Sequence, residues 1–579
     1  MTLSRLFHFT VVLMLLSACS QFPVKDMAIA PTPAPGEETA NPETRALNLP
    51  KQDLSGQVLY QFLLAEIAGQ RGNVSFATQS YIDLAKNTRD PRVAQRATEI
   101  ALFARNAPLA LEAARLWLTI DPAAVQAKQT VAALLVNNGT LDEARPYLQK
   151  LVEAEGNERS AGFMHLNGLL AKQQDKKAVL GLIRELAKPY NTLPEARFAV
   201  AQAAWNAGDS ELALSEIRAA AQLKPDWEIA ALFQGQILQR KENNEAAEFY
   251  RSYLKQYSRA GDVRMAYARL LVGEKKYDEA RAQFQQLLTD FPGNADVSMA
   301  VGLLSIQLKD MDAAETYIKQ SLTQGYKDQD AGNIYLGELN EERKRYDQAI
   351  KWYNAVSRGE KYLPAQMRIA GLLAKQGKLE DARKYLQQLP TQNNQQRVQI
   401  IQAEALLLRE TKAYQAAYDL LTRSLEKLPN HPDLLYEYAM AAEKVNRFDV
   451  MEQSLRKLIQ LKPDHAHAYN ALGYTLADRN ERLSEALPLV EKALKLAPDD
   501  PFIMDSLGWV YYRMGNLPKA LETLQRAYAK RPDPDIAAHL GEILWAQGRR
   551  EEAAKLWRSS LKENPANEAL LVMIKKFKL

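Results

Sequence analysis

The chain of 579 residues contains one cysteine, Cys19. An intramolecular disulfide is therefore impossible, and a zinc site built on several thiolates is excluded. Charge of one sign is also lacking: the formal net charge is +4, far from the basic footprint of a nucleic-acid-binding domain. No apolar run reaches the roughly 20 residues that a spanning helix requires. The sequence has no glycine-rich phosphate loop, no GxSxG, no HExxH and no kinase signature. With Cys19 lying so near the N-terminus, cysteine catalysis is excluded as well. Neither an enzyme nor a cofactor, metal or small-molecule substrate is expected.

What is present begins at the N-terminus. Arg5 supplies a positive region and Phe9 to Leu16 a short apolar one, the shape of a signal peptide. Leu16-Ser17-Ala18-Cys19 resembles the bacterial lipobox. That resemblance implies thioether lipidation of Cys19, cleavage before it and acylation of the new N-terminus. One acyl chain binds a bilayer marginally, whereas two or more anchor stably. Ser20, rather than Asp, follows the cysteine, which by resemblance to lipoprotein sorting points to the outer membrane of a Gram-negative cell. Residues 1–18 are expected as the signal peptide and 19–53 as the lipidated cysteine and a linker. Pro23, Pro31, Pro33, Pro35, Pro42 and Pro50 interrupt any helix there. About thirty such residues span roughly 30 Å as a coil, holding the folded part off the membrane surface.

From about residue 54 the chain repeats. A small residue recurs at Ala77, Ala110, Ala144, Ala178, Ala213, Ala246, Ala280, Ala314, Ala349, Ala382, Ala417, Met451, Ala486, Ala520 and Ala553, always 33, 34 or 35 residues apart. Twelve residues after it a proline is frequent (Pro292, Pro429, Pro463, Pro498, Pro532), and twelve before it stands a small residue such as Gly302, Gly337, Gly508 or Gly541. Four after it comes a large apolar residue, as at Tyr353, Leu455, Leu524 and Trp557. The stretch "DSLGWVYYRMGNLPKALETLQRAYAKRPD", residues 505–533, is among the clearest copies. Leu507, Tyr511, Leu517, Leu524 and Ala527 recur at helical spacing, and Pro532 ends the second helix.

This pattern resembles the tetratricopeptide repeat (TPR). The resemblance implies an all-α solenoid of about fifteen antiparallel helix pairs in a right-handed superhelix, covering residues 54–565. Copies in 54–226 are more degenerate than those in 227–565, and residues 566–579 are expected to form a capping helix. In a TPR the second, fifth, sixth, ninth, twelfth and thirteenth positions of each first helix point into an inner groove. Carried over, the unit from 432 presents Tyr436, Glu437, Met440 and Lys444. The next presents His467, Asn470, Tyr474 and Asp478. The unit from 501 presents Asp505, Trp509, Tyr512 and Arg513, and the last presents His539, Glu542 and Trp545. Trp, Tyr and Arg are the types enriched at binding hot spots, so a partner-binding groove is expected; the competing reading is that Trp509 and Trp545 merely pack between units. The two-carboxylate clamp of chaperone-binding TPRs does not fit, because Asp505 stands where such clamps carry a cation or an amide. His431 and His465 occupy equivalent turns between repeats, where a polar cap is expected, and His465 and His467 fall on different faces of a helix.

Lipobox, linker and repeats together resemble a family of large proteobacterial outer-membrane TPR lipoproteins. Relatives in it act as adaptors for a periplasmic carboxyl-terminal processing protease with a PDZ domain. The resemblance implies a periplasm-facing scaffold that binds that protease and delivers substrates such as cell-wall hydrolases. An assembly factor for polysaccharide or pilus secretion is the alternative.

Overall fold

The computed structural model describes residues 49–50, 54–153, 157–171 and 173–579. The signal peptide, Cys19 and nearly all of the linker lie outside them. Among the described residues there are 31 α-helices and no strands. Thirty of the helices form fifteen antiparallel pairs, from Gly56–Gln70 with Val74–Thr88 to Pro534–Ala546 with Arg550–Glu563; the helix Glu568–Phe577 follows the last pair. The chain divides into two compact units, residues 1–327 and 328–579. The first holds eight pairs, and the second holds seven and the C-terminal helix.

The recurring alanine has one structural meaning. Ala520 in Leu517–Lys530 and Ala553 in Arg550–Glu563 are each the fourth residue of a second helix and fully buried. A single methyl there lets the first helix come close. Ala178 departs from this register. It is the third residue of Lys176–Ala187 and exposed, and the fourth, Val179, is the buried one. The helix starts one residue later against the repeat, and the larger side chain takes the seam.

Four residues further along, the second helix lays a large side chain over the small residue of the first. A Cβ on Gly508 would stand 2.6 Å from Leu524 Cγ, and one on Gly541 would overlap the Trp557 indole. Most turns inside pairs contain a left-handed residue, although Glu242, alone between Glu228–Lys241 and Asn243–Gln256, is extended. The left-handed residue is Gly515 (φ 80°) or Gly548 (φ 84°) in late copies, but Lys275 (φ 59°), Lys309 (φ 61°) and Lys412 (φ 59°) elsewhere. Between some pairs, aspartate followed by proline starts the next helix: Asp500 accepts from the N–H groups of Phe502 and Ile503 with Pro501 in the first turn. Of the two expected histidine caps, His465 Nδ1 accepts from Ala468 N–H at 3.1 Å. His431 does not cap, and its Nδ1 is buried without a partner.

The two ends of the array differ. At the N-terminal end, Gly56–Gln70 leaves Leu59, Tyr60, Phe62, Leu63 and Ile67 exposed. At the other end Phe577 stacks on Trp557 at 5.1 Å and meets Trp545 at 4.7 Å. Leu570 is fully buried there, whereas Leu571 and Val572 face outward.

Candidate protein-interaction groove

In the C-terminal unit the first helices of successive pairs touch one another as well as their own second helices, which places them on the crowded inner side of the stack. The residues singled out above stand on four of them: Pro432–Lys444, Ala466–Asp478, Pro501–Arg513 and Pro534–Ala546. Asp505, Trp509 and Glu542 are buried. Tyr436, Asn470, Tyr474, Tyr512, Arg513, His539 and Trp545 are half-buried, and Lys444 and His467 are exposed.

Seven of these residues converge. The Trp509 ring stacks on His539 with centroids 4.3 Å apart and lies 5.1 Å from Tyr512; Tyr474 is 6.0 Å from His539 on another side. Trp509 Nε1 donates to Asp478 Oδ1 at 3.2 Å. His539 Nδ1 lies 3.0 and 2.9 Å from the two oxygens of Asp505. Tyr512 donates to Glu542 Oε1 at 3.4 Å, and Lys576 Nζ sits 2.7 Å from the same oxygen. Every one of these contacts except the Trp509–Tyr512 pair crosses from one element to another, so the cluster fixes the angle between successive pairs as well as lining their inner side.

The electrostatics follow from the geometry. Burial works against a charged His539, but the Asp505 carboxylate, by charge and by hydrogen bond, outweighs it with help from Asp478 and Glu542. The imidazole is held above its ordinary pKa. Burial and then the carboxylates Asp478 and Asp505 push the Tyr474 hydroxyl up, and burial and Glu542 do the same to Tyr512. Both phenols therefore stay neutral hydrogen-bond donors.

The remaining predicted residues lie apart from this cluster. Tyr436 packs beside His465 at 5.4 Å, and Glu437 pairs with Arg409 at 3.1 Å. Lys444 and His467 stand on the rim. Trp545 belongs to the terminal stack with Trp557 and Phe577. The Asn470 side-chain oxygen is buried and accepts no hydrogen bond.

An ionic group on earlier first helices escaped the sequence reading. Arg368 bridges Glu338 (3.0 Å) and Glu341 (3.1 Å), and Lys375 reaches Glu341 at 2.8 Å. Burial raises the Glu338 pKa. Burial acts on Glu341 as well, but Lys375 and Arg368 hold that carboxyl low. These residues occupy the same inward positions of their repeats as the aromatic set, so carrying the alignment back three units would have found them. The inner side of this unit thus changes from ionic near residues 338–375 to aromatic near 436–545. In the N-terminal unit a cleft of about 550 Å³ is lined by Arg184, Lys188 and the Arg197–Glu216 ion pair (2.8 Å). Among the described residues no group of three or more His, Cys, Asp or Glu is placed to hold a metal ion. No described helix is long and apolar enough to cross a membrane.

Stacked helix pairs with side chains gathered along the first helices define a repeat scaffold for protein–protein interaction. Sequence comparison narrows the class. The tetratricopeptide repeat pattern matches residues 436–501 and 506–568, and a second tetratricopeptide repeat pattern matches 238–304, 271–335 and 341–405. A TPR repeat-containing protein of Pseudomonas aeruginosa is 39% identical over 512 residues, 88% of this chain and 86% of that protein. The mitochondrial import receptor subunit TOM70 of Rattus norvegicus is 24% identical over 152 residues, 26% of this chain and 25% of that one. The chain belongs to the tetratricopeptide repeat family. Among solved structures, a thermophilic TPR protein of Thermus thermophilus aligns with 30% of this chain and 96% of its own at 25% identity, with a TM-score of 0.28. At that TM-score the superposition adds nothing to an assignment that rests on sequence.

Proposed function

We propose that this protein is a non-catalytic scaffold anchored to the outer membrane through a lipidated Cys19, facing the periplasm. In this reading its groove receives protein partners and brings substrates such as cell-wall hydrolases to a carboxyl-terminal processing protease. The observation that carries the binding role is the run of aromatic and polar side chains on four consecutive first helices, with Tyr436, Tyr474 and Tyr512 half open. The anchor reading is supported by Leu16-Ser17-Ala18-Cys19 and the proline-rich stretch behind it. Holding protease and substrate on one scaffold raises their effective concentration, which gains on the order of two or more powers of ten without new chemistry.

Affinity capture from detergent-solubilised membranes tests the partner. A processing protease among the captured proteins supports the adaptor role. A polysaccharide- or pilus-export complex captured without any protease replaces it with the assembly-factor role. Cys19→Ala tests the anchor: the variant is expected to leave the outer-membrane fraction on flotation, and continued flotation refutes the lipobox reading.

A further inference from the structure

Ten of the twenty large apolar side chains that the described residues leave exposed lie between Leu49 and Phe103; the others are scattered singly or in adjacent pairs. Gly56–Gln70 supplies five of the ten, and it buries Ala65 alone. Tyr60, Leu63 and Ile67 follow one another at steps of three and four residues, a stripe along one side of this helix. Its one charged residue, Glu66, accepts from the Tyr81 hydroxyl and lies 3.6 Å from Arg96 of the next pair. The lack of a preceding pair accounts for the stripe. It does not account for Leu102 and Phe103, which end Pro91–Phe103 in the second pair; Phe103 is 86% exposed. Because helices alternate in direction, the turns inside these two pairs fall on one edge, and so do Ile67 and Phe103 near them. Each turn carries an exposed arginine, Arg71 and Arg105. The next turn on that edge, Asn138-Gly139-Thr140, is polar and follows the buried Leu135 and Val136. The apolar edge is therefore confined to the first two pairs, those nearest to Cys19 along the chain.

We propose that this edge rests on the lipid bilayer, with Tyr60, Leu63, Ile67 and Phe103 entering the boundary of the acyl region and Arg71 and Arg105 meeting lipid phosphates. The inference rests on the anchor reading. Three observations favour a bilayer over a protein chain as the occupant. Ser55 stands 36 residues beyond Cys19, and no chain extends further than about 3.6 Å per residue, so a lipidated Cys19 keeps this edge within roughly 130 Å of the membrane. Apolar groups project at two turns as well as along one helix, whereas a packing helix would cover the stripe alone. An apolar stripe that ends in arginines, its single carboxylate already paired, has the composition of a helix lying in an interface. Four side chains bury little area, and interfacial binding scales with that area, so the contact is weak by itself. The linker makes up the difference by presenting its two ends to each other at on the order of millimolar concentration. A chain without its lipid therefore still leaves the membrane on flotation, where lipid is dilute.

The test takes the anchor away and supplies lipid in its place. Residues 19–579 carrying Cys19→Ala are mixed with sucrose-loaded vesicles of phosphatidylethanolamine with a minor share of phosphatidylglycerol, at about millimolar lipid, and the bound fraction is sedimented. Binding is expected to rise with lipid and to fall at least about tenfold in a Leu63→Glu, Phe103→Glu double variant. Both positions are open to solvent, so the melting temperature is expected to stay unchanged, which shows that the variant folds. Arg71→Glu with Arg105→Glu is expected to weaken binding to these anionic vesicles by about tenfold. A parent chain that does not bind, or a Leu63→Glu, Phe103→Glu variant that binds equally well, overturns the proposal. Light scattering without lipid reads the rival occupant: a dimer that the same double variant dissolves would assign the edge to a second copy and overturn the bilayer. No acylated cysteine is used, so this failure is distinct from failure of the anchor reading, which the flotation of Cys19→Ala from cells decides.

Discussion

His539 and Asp505 stand 34 residues apart on neighbouring first helices, with the imidazole Nδ1 2.9 Å from Asp505 Oδ2 and the Trp509 ring stacked over the pair. The position of this ion pair at a joint between repeats makes it a pH-dependent fastening. The folded-state pKa of His539 lies above its unfolded value. Its stabilisation is therefore complete below about pH 6.5, the unfolded value, and disappears as pH rises through the folded pKa. Asp505→Asn is expected to cost about 2 kcal/mol in mildly acidic solution and much less in alkaline solution. Urea unfolding followed by tryptophan fluorescence at both pH values measures the gap; an equal cost at both would refute the assignment.

Trp509 and Tyr512 were candidates for the same role, and their surroundings separate them. Trp509 is 5% exposed and held by ring stacking and by Asp478, so Trp509→Ala should cost roughly 3–5 kcal/mol, as for a core tryptophan. Tyr512 is half open. Tyr512→Ala should change stability by less than about 1 kcal/mol while lowering partner capture. Thermal melts of the two variants, compared with capture yields, distinguish packing from recognition.

The glycine beneath Trp557 is required by space. Gly541→Ala places a methyl inside the indole, which also donates to the Ala538 carbonyl at 3.1 Å. Overpacking of this kind costs about 1–3 kcal/mol. The expected result is a lower melting temperature with a shifted tryptophan emission; an unchanged melt would mean that the last pair slides apart easily.

Lys309 holds a left-handed backbone (φ 61°) in a turn where late copies use glycine. Relief of that conformation is worth about 1–2 kcal/mol, against about 0.5–1 kcal/mol of extra chain entropy lost by glycine. Lys309→Gly is therefore expected to raise the melting temperature slightly, as differential scanning calorimetry would detect.

Most of the fold was legible because one alanine per repeat must be small. The methyl at the fourth residue of most second helices and the small residue of the first helix are two halves of one contact, and a contact repeated in thirteen of fifteen pairs leaves a period in the sequence. Ala178 misled by one position because a residue type was followed where the cap, Asp175, sets the register. The inward positions of Tyr474, Asp505, Trp509 and His539 followed from the resemblance to the tetratricopeptide repeat, which says which positions of a first helix face the inner side. Their mutual contacts were not. That His539 reaches Asp505 while His467 reaches the rim depends on the rotation between successive pairs, which no single repeat encodes. The ion pair of Lys412 with Glu568, 2.9 Å apart across 156 residues of chain, is further from reach, being the sum of several such rotations.

The unequal ends of the array imply a direction of failure. A stack in which each pair leans on its neighbours comes undone from whichever terminus is held least, and the aromatic stack of Trp545, Trp557 and Phe577 rivets one of them. The other ends in a helix with a bare apolar side. Wear and proteolysis would begin there and unzip the early repeats in sequence, leaving the late ones assembled until last.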